Sequence, residues 1–441
     1  MKRSLMRITV LLLVLCMTVA FMPSGVTNTA FAEVGSGLIN NVNIDENGIM
    51  TWDPVPDVSE YIIIIDGYEA GIARETSFDI ASEIDELIGY GQIDNKGNHK
   101  IYIETYHVGS AYSWIGTYRH FYQNVETDTV FRYFGDSRYE TALMVADAFK
   151  QRRELDKFKS AIIADGRNYA DALAGSYLSF NANAPILLVD TNQSHITAVQ
   201  DYIRANVEAG GTIYLLGGAA VVPESVKDGL SGYNFKRLGG SDRYETNLQI
   251  LSEGGDIVPW FASDIIVCSG TGFADSLSAA ATGDPIMLVK GNSLTAGQMQ
   301  YLQTLSSAKK LFITVVGGTG AVSKNIFTQL KAYGDVYRVG GKDRYETSQL
   351  FAEHYFDAIT SSAVLAFGGN FPDGLCGGSL ANSMGAPLIL TANGKTSAAE
   401  NYVRGNGISY GAVLGGTTLI SDASAKAIFD VSEDSNVVVV K

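Results

Sequence analysis

Arginine and acidic residues recur together at three places in this chain of 441 residues. Each copy ends a predicted strand and begins a predicted helix. A guanidinium group binds carboxylates and phosphates through paired hydrogen bonds, so the pattern predicts ion pairs or sites for an anion. The copies are RYFGDSRYET from Arg132, RLGGSDRYET from Arg237 and RVGGKDRYET from Arg338.

The start of each predicted helix explains part of this string. A serine or aspartate lies three positions before a glutamate, the spacing of a capping box, in which both side chains bind free backbone amides. The pairs are Ser137 and Glu140, Asp242 and Glu245, and Asp343 and Glu346.

The caps leave one arginine of each string unexplained: Arg138, Arg243 and Arg344. A cation in the first turn opposes the helix dipole, at a cost of about 0.3 to 1 kcal/mol when exposed. One interpretation is an ion pair, within or between repeats, to an aspartate that begins the next helix at the same sheet edge. The other is an anionic ligand held together with helix amides, and both can apply at once. The aspartates are Asp171, Asp275 and Asp373.

Two further sets complete the predicted ligand site. The arginines that end the first strands are either solvated or contact a ligand or a neighbouring repeat. The tyrosines are either buried against a helix or stacked on a sugar ring. The arginines are Arg132, Arg237 and Arg338, and the tyrosines are Tyr139, Tyr244 and Tyr345.

The strings lie about 100 residues apart, and other blocks recur in the same order, which indicates three repeats. In the first repeat the predicted strands are Val130 to Tyr133, Ala161 to Ala164, Ile186 to Val189 and Ile213 to Leu216. Short apolar strands that alternate with helices predict a parallel α/β sheet covered on both faces. The expected repeats are residues 128–236, 237–337 and 338–441.

Residues 38–125 have a different pattern. Aromatic and β-branched runs are separated by Asn-Gly and Asp-Gly turns, which predicts a small β-sandwich. The start at Trp52-Asp-Pro-Val with a following tyrosine resembles fibronectin type III modules. Glu83 to Ile88 is either a short helix or a loop.

The N-terminal segment has the pattern of an export signal. Lys2, Arg3 and Arg7 precede an apolar run, and small residues end at Ala32, which predicts a signal peptide over residues 1–32. Its removal changes the formal charge from -15 to about -18, which argues against nucleic acid as a partner. The rest of the sequence has no apolar run of about 18 residues, so we expect a secreted protein without a membrane span.

Catalytic patterns are weak in this sequence. Five histidines form no close-spaced zinc motif, and no nucleophile and base are paired. The cysteines beyond the signal peptide, Cys268 and Cys376, are predicted to be buried thiols. We therefore expect no enzymatic activity, no cofactor and no metal centre.

The ordered motifs of residues 128 to 441 resemble the cell-wall-binding repeat type 2 family. The resemblance implies a secreted protein of a Gram-positive bacterium, held on the cell wall or cell surface without a covalent bond. It implies an anionic secondary wall polymer as the partner, and three Rossmann-like modules in a pseudo-threefold arrangement. The expected fold is therefore multidomain, with a β-sandwich followed by three α/β modules.

Alternatives to wall attachment remain open at this stage. The chain could be a surface adhesin or coat component whose repeats are mainly structural and whose sandwich binds a protein. A wall-hydrolase-associated protein is a further alternative. The repeats are also unequal, because the first has Phe134 where the others have Gly239 and Gly340, which makes the first repeat the weakest candidate for ligand binding.

Overall fold

The computed structural model describes residues 37–45, 48–89, 92–93, 97–105, 112–120, 129–257, 264–308, 310–356, 360, 362–431 and 437–440. The predicted signal peptide lies outside the described residues. Within them, no helix has the length and apolar character needed to cross a bilayer.

The N-terminal region forms two small sheets around one core. The five-stranded sheet has the order β1-β8-β7-β4-β5, and the three-stranded sheet has the order β2-β3-β6. Their neighbouring strands are antiparallel except for β1 and β8. The elements are β1 (Gly37–Leu38), β2 (Asn43–Ile44), β3 (Ile49–Thr51), β4 (Tyr61–Ile65), β5 (Tyr68–Ala73), β6 (Ser77–Asp79), α1 (Ile80–Gly89), β7 (Gly97–Thr105) and β8 (Tyr112–His120).

The core of this region joins both sheets and the helix. Buried Met50 of β3, Ile63 of β4 and Ile84 of α1 belong to one hydrophobic cluster. Trp52 packs edge-on against Tyr61, with ring centroids 5.1 Å apart. The segment Glu83 to Ile88, left open between helix and loop, therefore lies within a helix that begins at Ile80.

The three repeats alternate strands and helices, as their sequence predicts. The first contains β9 (Val130–Tyr133), α2 (Arg138–Arg152), β10 (Phe158–Asp165), α3 (Ala170–Ala182), β11 (Ile186–Val189), α4 (Gln193–Asn206), β12 (Val207–Leu216) and a 3₁₀ turn (Glu224–Lys227). The second contains β13 (Asn234–Leu238), α5 (Arg243–Ile257), β14 (Asp264–Ser269), α6 (Ala274–Ala279), β15 (Ile286–Val289), α7 (Ala296–Ala308), β16 (Leu311–Val316) and α8 (Lys324–Leu330). The third contains β17 (Gly334–Val339), α9 (Arg344–Phe356), β18 (Ser362–Phe367), a 3₁₀ turn (Pro372–Gly374), α10 (Gly377–Ser383), β19 (Leu388–Thr391), α11 (Ser397–Gly405), β20 (Tyr410–Leu414), α12 (Asp422–Phe429) and β21 (Val437–Val440).

The sheets do not follow the sequence repeats. Their orders are β11-β10-β12-β13, β15-β14-β16-β17 and β19-β18-β20-β9-β21, and all of these neighbours are parallel. The first strand of the second repeat thus joins the sheet of the first, and that of the third joins the sheet of the second. The first strand of the first repeat, β9, joins the sheet of the third. Val130 to Tyr133 is a strand, as predicted, and its pairing with β20 links the repeats in a closed cycle.

The strands β11, β15 and β19 are buried along their whole length although each ends its sheet, because helices cover both faces of each parallel sheet. One hydrophobic cluster contains residues of all three repeats, such as Leu173, Leu277 and Leu375. These three leucines occupy the same position in the recurring block that begins each second helix or turn. The repeats therefore share a core and pack as one unit.

Candidate functional site

The arginines of the three helix starts hold equivalent positions. Arg138, Arg243 and Arg344 are the first residues of α2, α5 and α9. The Nη1 atom of each donates to a backbone carbonyl that follows the second strand of its repeat. The distances are 2.6 Å to Gly166, 2.7 Å to Gly270 and 2.7 Å to Gly368. Arg138 and Arg243 are half-buried, and Arg344 is exposed.

The predicted helix caps are present. Asp242 Oδ1 accepts the amides of Tyr244 and Glu245 at 2.9 and 3.0 Å, and Asp343 makes the same two bonds in the third repeat. Ser137 Oγ accepts the amide of Glu140. The sequence prediction of these caps is confirmed.

Side chains of the same string accept hydrogen bonds from the backbone amides of the loop before each helix. The glutamates Glu140, Glu245 and Glu346 accept the amides of Asp136, Ser241 and Lys342. The threonines Thr141, Thr246 and Thr347 accept the amides of Gly135, Gly240 and Gly341. Because the chain's own oxygen atoms occupy these amides, the structure does not favour an anion bound by the helix amides. The guanidinium group at the helix start is the cationic partner for an anion that all three loops share.

Each arginine lies against the neighbouring repeat. The guanidinium of Arg243 lies 5.3 Å from the ring centroid of Tyr169, and that of Arg344 lies 5.0 Å from Phe273. Arg138 closes the cycle, 5.8 Å from the ring of Phe371 in the third repeat. Such cation–π contacts stabilise each arginine by about 0.5 to 2 kcal/mol and offset the unfavourable helix dipole.

The rings under the arginines also contact one another. The centroids of Tyr169, Phe273 and Phe371 are 6.1, 5.6 and 5.7 Å apart, with tilted or edge-to-face orientations. Each ring comes from a different repeat. The three aromatic residues occupy the same position in a recurring sequence block. That recurrence indicates a shared contact, but no functional prediction was based on it.

The three aspartates face the arginines across the repeat interfaces. The charge of Arg243 acts on Asp171, that of Arg344 on Asp275, and that of Arg138 on Asp373. Among the salt bridges of the described residues, none joins these partners directly. The predicted pairing is therefore electrostatic and between repeats, rather than a direct hydrogen-bonded ion pair.

Each aspartate lies under a glycine at the end of a strand. A Cβ atom at Gly217, Gly317 or Gly415 would lie 2.7, 2.3 or 2.5 Å from the Oδ2 atom of the aspartate. These glycines also have φ angles of 93°, 102° and 92°. Only glycine fits both the left-handed backbone and the close approach of a carboxylate.

Burial changes the acidity of these carboxyl groups. It raises the pKa of Asp171 to about 6, although the charge of Arg243 acts in the opposite direction. Burial likewise raises the pKa of Asp275 to about 6, and it raises that of Asp373. These carboxyl groups therefore take up protons at a pH well above that of an exposed aspartate, about 3.9.

This acidity predicts a pH-dependent effect of the double substitution Asp171→Asn with Asp275→Asn. A raised native pKa adds stability below the unfolded pKa, and that stability is lost as the pH rises through about 6. Asparagine cannot ionise, so the melting temperature of the variant relative to the parent should increase between about pH 4.5 and about pH 7.5. Thermal melts at both pH values measure the difference.

Asp190 provides a control, because the pKa of its carboxyl group is shifted in the opposite direction. Burial acts to raise the pKa of its carboxyl group, but hydrogen bonds from Asn192, His195 and Tyr139 outweigh burial and lower it. The stability from Asp190 is present above the unfolded pKa of about 3.9 and is lost as the pH falls through the lowered folded value. Asp190→Asn should therefore destabilise to the same extent at about pH 4.5 and about pH 7.5, and less below about pH 3. Equal pH dependence of the two variants would contradict the assignment.

The tyrosines of the three strings pack inside their own repeats. A Cβ atom at Gly166, Gly270 or Gly368 would lie 2.4 to 2.6 Å from the tyrosine ring of the same repeat. The hydroxyl group of Tyr139 donates to Asp190 at 2.8 Å, and its ring stacks on His195 at 3.8 Å. Tyr139 and Tyr244 are buried, and Tyr345 is half-buried. Burial, the first of the two interpretations, is confirmed for Tyr139 and Tyr244, and their rings offer no open face for a sugar.

The arginines at the ends of the first strands bind the adjacent strand-end loop. Arg237 donates to the carbonyls of Gly217 and Val222, and Arg338 donates to those of Gly317 and Val322, at 2.7 to 3.0 Å. Arg132 makes the equivalent bonds in the third repeat, and its side chain has an exposed fraction of 0%. Of the alternatives left open for these arginines, a solvated position does not hold for Arg132. Its burial also removes it from any ligand, and the observed role of all three is contact between repeats.

One interface contains an open cleft of about 470 Å³. It lies between the first and third repeats, beside Arg138 and Asp373. Phe134, Thr417 and Thr418 also line it, and the sequence analysis did not assign these residues to a site. The first repeat, expected to be the weakest for binding, therefore contributes to a cleft.

The sequence matches the model of the family described as Cell wall binding domain 2 (CWB2) over residues 132–227, 237–327 and 338–425. The chain belongs to this family. The three matched segments correspond to the three repeats, so the tandem organisation of a CWB2 protein is shown. Family membership also indicates a location at the cell wall or cell surface.

Individual proteins are similar to this CWB2 chain over the repeats. N-acetylmuramoyl-L-alanine amidase LytC of Bacillus subtilis (strain 168) is 24% identical over 309 residues, which cover 68% of this chain and 58% of that protein. The Amidase enhancer of the same organism is 25% identical over 306 residues, which cover 68% of this chain and 40% of that protein. The chain thus spans less than two thirds of the length of either relative.

Two solved structures share the fold of this CWB2 chain. Cwp8 from Clostridium difficile has a TM-score of 0.58 and 22% identity, covering 84% of this chain and 64% of that chain. Cwp6 from Clostridium difficile has a TM-score of 0.58 and 18% identity, covering 88% of this chain and 66% of that chain. Both support small N-terminal sheets followed by repeated α/β units.

The family is described as a binding domain, and the two cysteines of the repeats lie within its matched segments. Cys268 and Cys376 are free and buried, which confirms the prediction for both. Burial raises the pKa of Cys268 well above its usual value and that of Cys376 to about 12, so both stay protonated. In the part of the chain described here, no group of three or more His, Cys, Asp or Glu side chains is placed to hold a metal ion.

Proposed function

We propose that this CWB2 protein attaches non-covalently to the Gram-positive cell wall by binding an anionic secondary polymer at its repeat interfaces. The family supports binding to the wall. The chemistry of the interfaces supports an anion, because Arg138, Arg243 and Arg344 place a guanidinium group at each. A guanidinium group suits phosphate and carboxylate groups through paired hydrogen bonds.

The position of these arginines is the observation that carries the proposal. The hydrogen bonds of each guanidinium group to described residues use Nη1, and none of the three side chains is fully buried. Each lies beside an aspartate and a glycine at the carboxyl end of a parallel sheet. Ligands of such sheets bind outside this edge, where loops of adjacent strands diverge.

Three such sites would act together on one polymer. We propose that the repeats are arranged about a pseudo-threefold axis, and the cyclic strand pairing and the contact of three aromatic rings support this. Weak sites on a rigid unit gain avidity of about 10² to 10⁴ when a polymer spans them. The charge of Asp171, Asp275 and Asp373 would modify the affinity of each site for the anion.

The N-terminal region would be the displayed part of the protein, exported by the signal peptide. Its resemblance to fibronectin type III modules is part of this proposal. A second candidate, an adhesin or coat component, is favoured by the edge strand β5, where Tyr68 and Ile72 are 47% and 46% exposed. Tyr68→Ser with Ile72→Ser should leave wall binding unchanged and weaken binding of a protein partner to β5.

The test of the proposed function is sedimentation of the full chain with purified Gram-positive walls. Walls from which anionic polymers have been removed chemically should retain much less protein than untreated walls. Retention should also fall as the salt concentration rises, because salt screens the exposed part of each arginine. Equal retention on both wall preparations would contradict an anionic polymer as the ligand.

A further inference from the structure

The arginine loops of the three repeats differ at the position that faces the adjacent strand-end loop. In the second repeat, a Cβ atom at Gly239 would lie 2.8 Å from the backbone of Gly217, and in the third, one at Gly340 would lie 2.9 Å from Gly317. These two loops therefore lie directly against the adjacent strand-end loops. No side chain fits between the two backbones.

The first repeat has Phe134 at this position. The phenylalanine cannot make the close backbone contact, and its ring lies 3.7 Å from the Cβ position of Gly416 in the third repeat. The ring therefore packs on the strand-end loop of the third repeat, while the bond from the Gly415 amide to the Tyr133 carbonyl is kept at 3.0 Å, against 2.7 Å for its equivalents at the other interfaces. The cleft of about 470 Å³ lies at this interface, with Phe134 and Gly416 in its lining.

The lining of the cleft combines three kinds of contact. Phe134 supplies an aromatic face, and Arg138 supplies a guanidinium group. Ser137, Thr417 and Thr418 supply hydroxyl groups. Thr417 and Thr418 follow the double glycine of the third repeat. The equivalent positions are Ala219 and Ala220 in the first repeat and Thr319 and Gly320 in the second, so two adjacent threonines occur at this interface alone.

We propose that the cleft between the third and first repeats is the principal polymer site and binds an anionic sugar unit. A pyranose ring lies against Phe134, because the negative face of an aromatic ring attracts C–H groups. The phosphate or carboxylate of the unit binds Arg138, and its hydroxyl groups bind the two threonines. The volume of the cleft lies within the range of small-molecule sites, about 300 to 1,000 Å³. This inference rests on the proposed function and adds the ligand's sugar character and the unequal use of the repeats.

The carboxylates in the cleft limit which anions bind well. Asp136 and Asp373 also line it, so a bare anion meets repulsion as well as attraction. A sugar unit separates these contacts, because its hydroxyl groups donate to the carboxylates while its anionic group reaches the guanidinium. The cleft therefore favours a charged sugar over a small charged molecule without a ring.

Single substitutions distinguish this site from the other two interfaces. Arg138→Ala should reduce retention on purified walls about 10-fold or more, whereas Arg243→Ala and Arg344→Ala should each reduce it less. Phe134→Gly, which introduces the residue of the other repeats, should also reduce retention about 5- to 10-fold. Equal losses from the three arginine variants would overturn the principal site but not the proposed function. The proposed function itself fails if none of the arginine variants loses retention.

Two soluble probes test the sugar contact directly. Glucose 1-phosphate should bind the full chain more tightly than glycerol 1-phosphate by calorimetric titration, and Phe134→Gly should remove that difference. Phe134→Leu keeps an apolar side chain without the ring, so it serves where the glycine variant lowers the melting temperature. Parent-like preference for glucose 1-phosphate in a folded Phe134→Leu variant, or equal binding of both probes to the parent, would overturn the sugar contact.

Discussion

Replacing Arg138, Arg243 and Arg344 together with alanine should reduce retention on purified walls roughly 10³-fold. The change at Arg138 removes hydrogen bonds of a charged group to the polymer, worth about 1.5 to 3 kcal/mol, where about 1.4 kcal/mol corresponds to a factor of ten. The changes at Arg243 and Arg344 add smaller losses. Loss of three sites also removes the avidity of a multivalent contact. Sedimentation over a range of wall concentrations measures the loss.

A matched control separates the interface arginines from the change in net charge. Arg74, Arg204 and Arg404 lie on the surface in ion pairs, with side chains 73%, 44% and 45% exposed. Their triple alanine variant changes the net charge by the same amount and should pellet like the parent. The assignment would be wrong if both triple variants lost retention equally, or if the interface variant pelleted like the parent while its melting temperature was unchanged.

Arg132→Met should lower the free energy of unfolding by about 2 to 6 kcal/mol, because two buried carbonyl groups lose their donor at a cost of about 1 to 3 kcal/mol each. The side chain donates to the carbonyls of Gly415 and Ile420 at 2.7 and 2.8 Å and to Asp422 at 3.0 Å. Methionine fills the space but leaves these carbonyls without a donor. The loss also affects β9, which lies between β20 and β21 and closes the cycle of repeats.

Arg237→Met is the matched comparison, because Arg237 donates to the equivalent carbonyls of Gly217 and Val222. Its side chain is 22% exposed, and water can replace part of what is lost. We expect a cost of about 1 to 2 kcal/mol in this variant. Urea denaturation followed by circular dichroism gives both values, and equal losses would contradict a special role of the buried arginine.

Local patterns explain why much of the repeat structure followed from the sequence. A helix cap depends on residues three positions apart, so Asp242 and Glu245 predicted the bonds that they make. Continuous apolar runs predicted buried parallel strands, because both faces of such a strand are covered. The tandem match to the CWB2 family likewise depends on the order of motifs along the chain.

Contacts between repeats could not be predicted in this way, because a repeated sequence does not indicate which copies are in contact. The pairing of β9 with β20 joins residues about 280 positions apart, and it alone makes Arg132 buried rather than solvated. The packing of Arg138 over Phe371 follows from the same cyclic arrangement.

The sequence by itself determined the three repeats, their alternation of strands and helices, the capped helix starts and the residue types able to bind an anion. The tertiary structure decided which of those residues are accessible. It buried Arg132, Tyr139 and Tyr244 and left Arg138 beside an open cleft. The physical reason is that accessibility depends on packing between distant segments, which the strand pairing and side-chain contacts between the repeats decide.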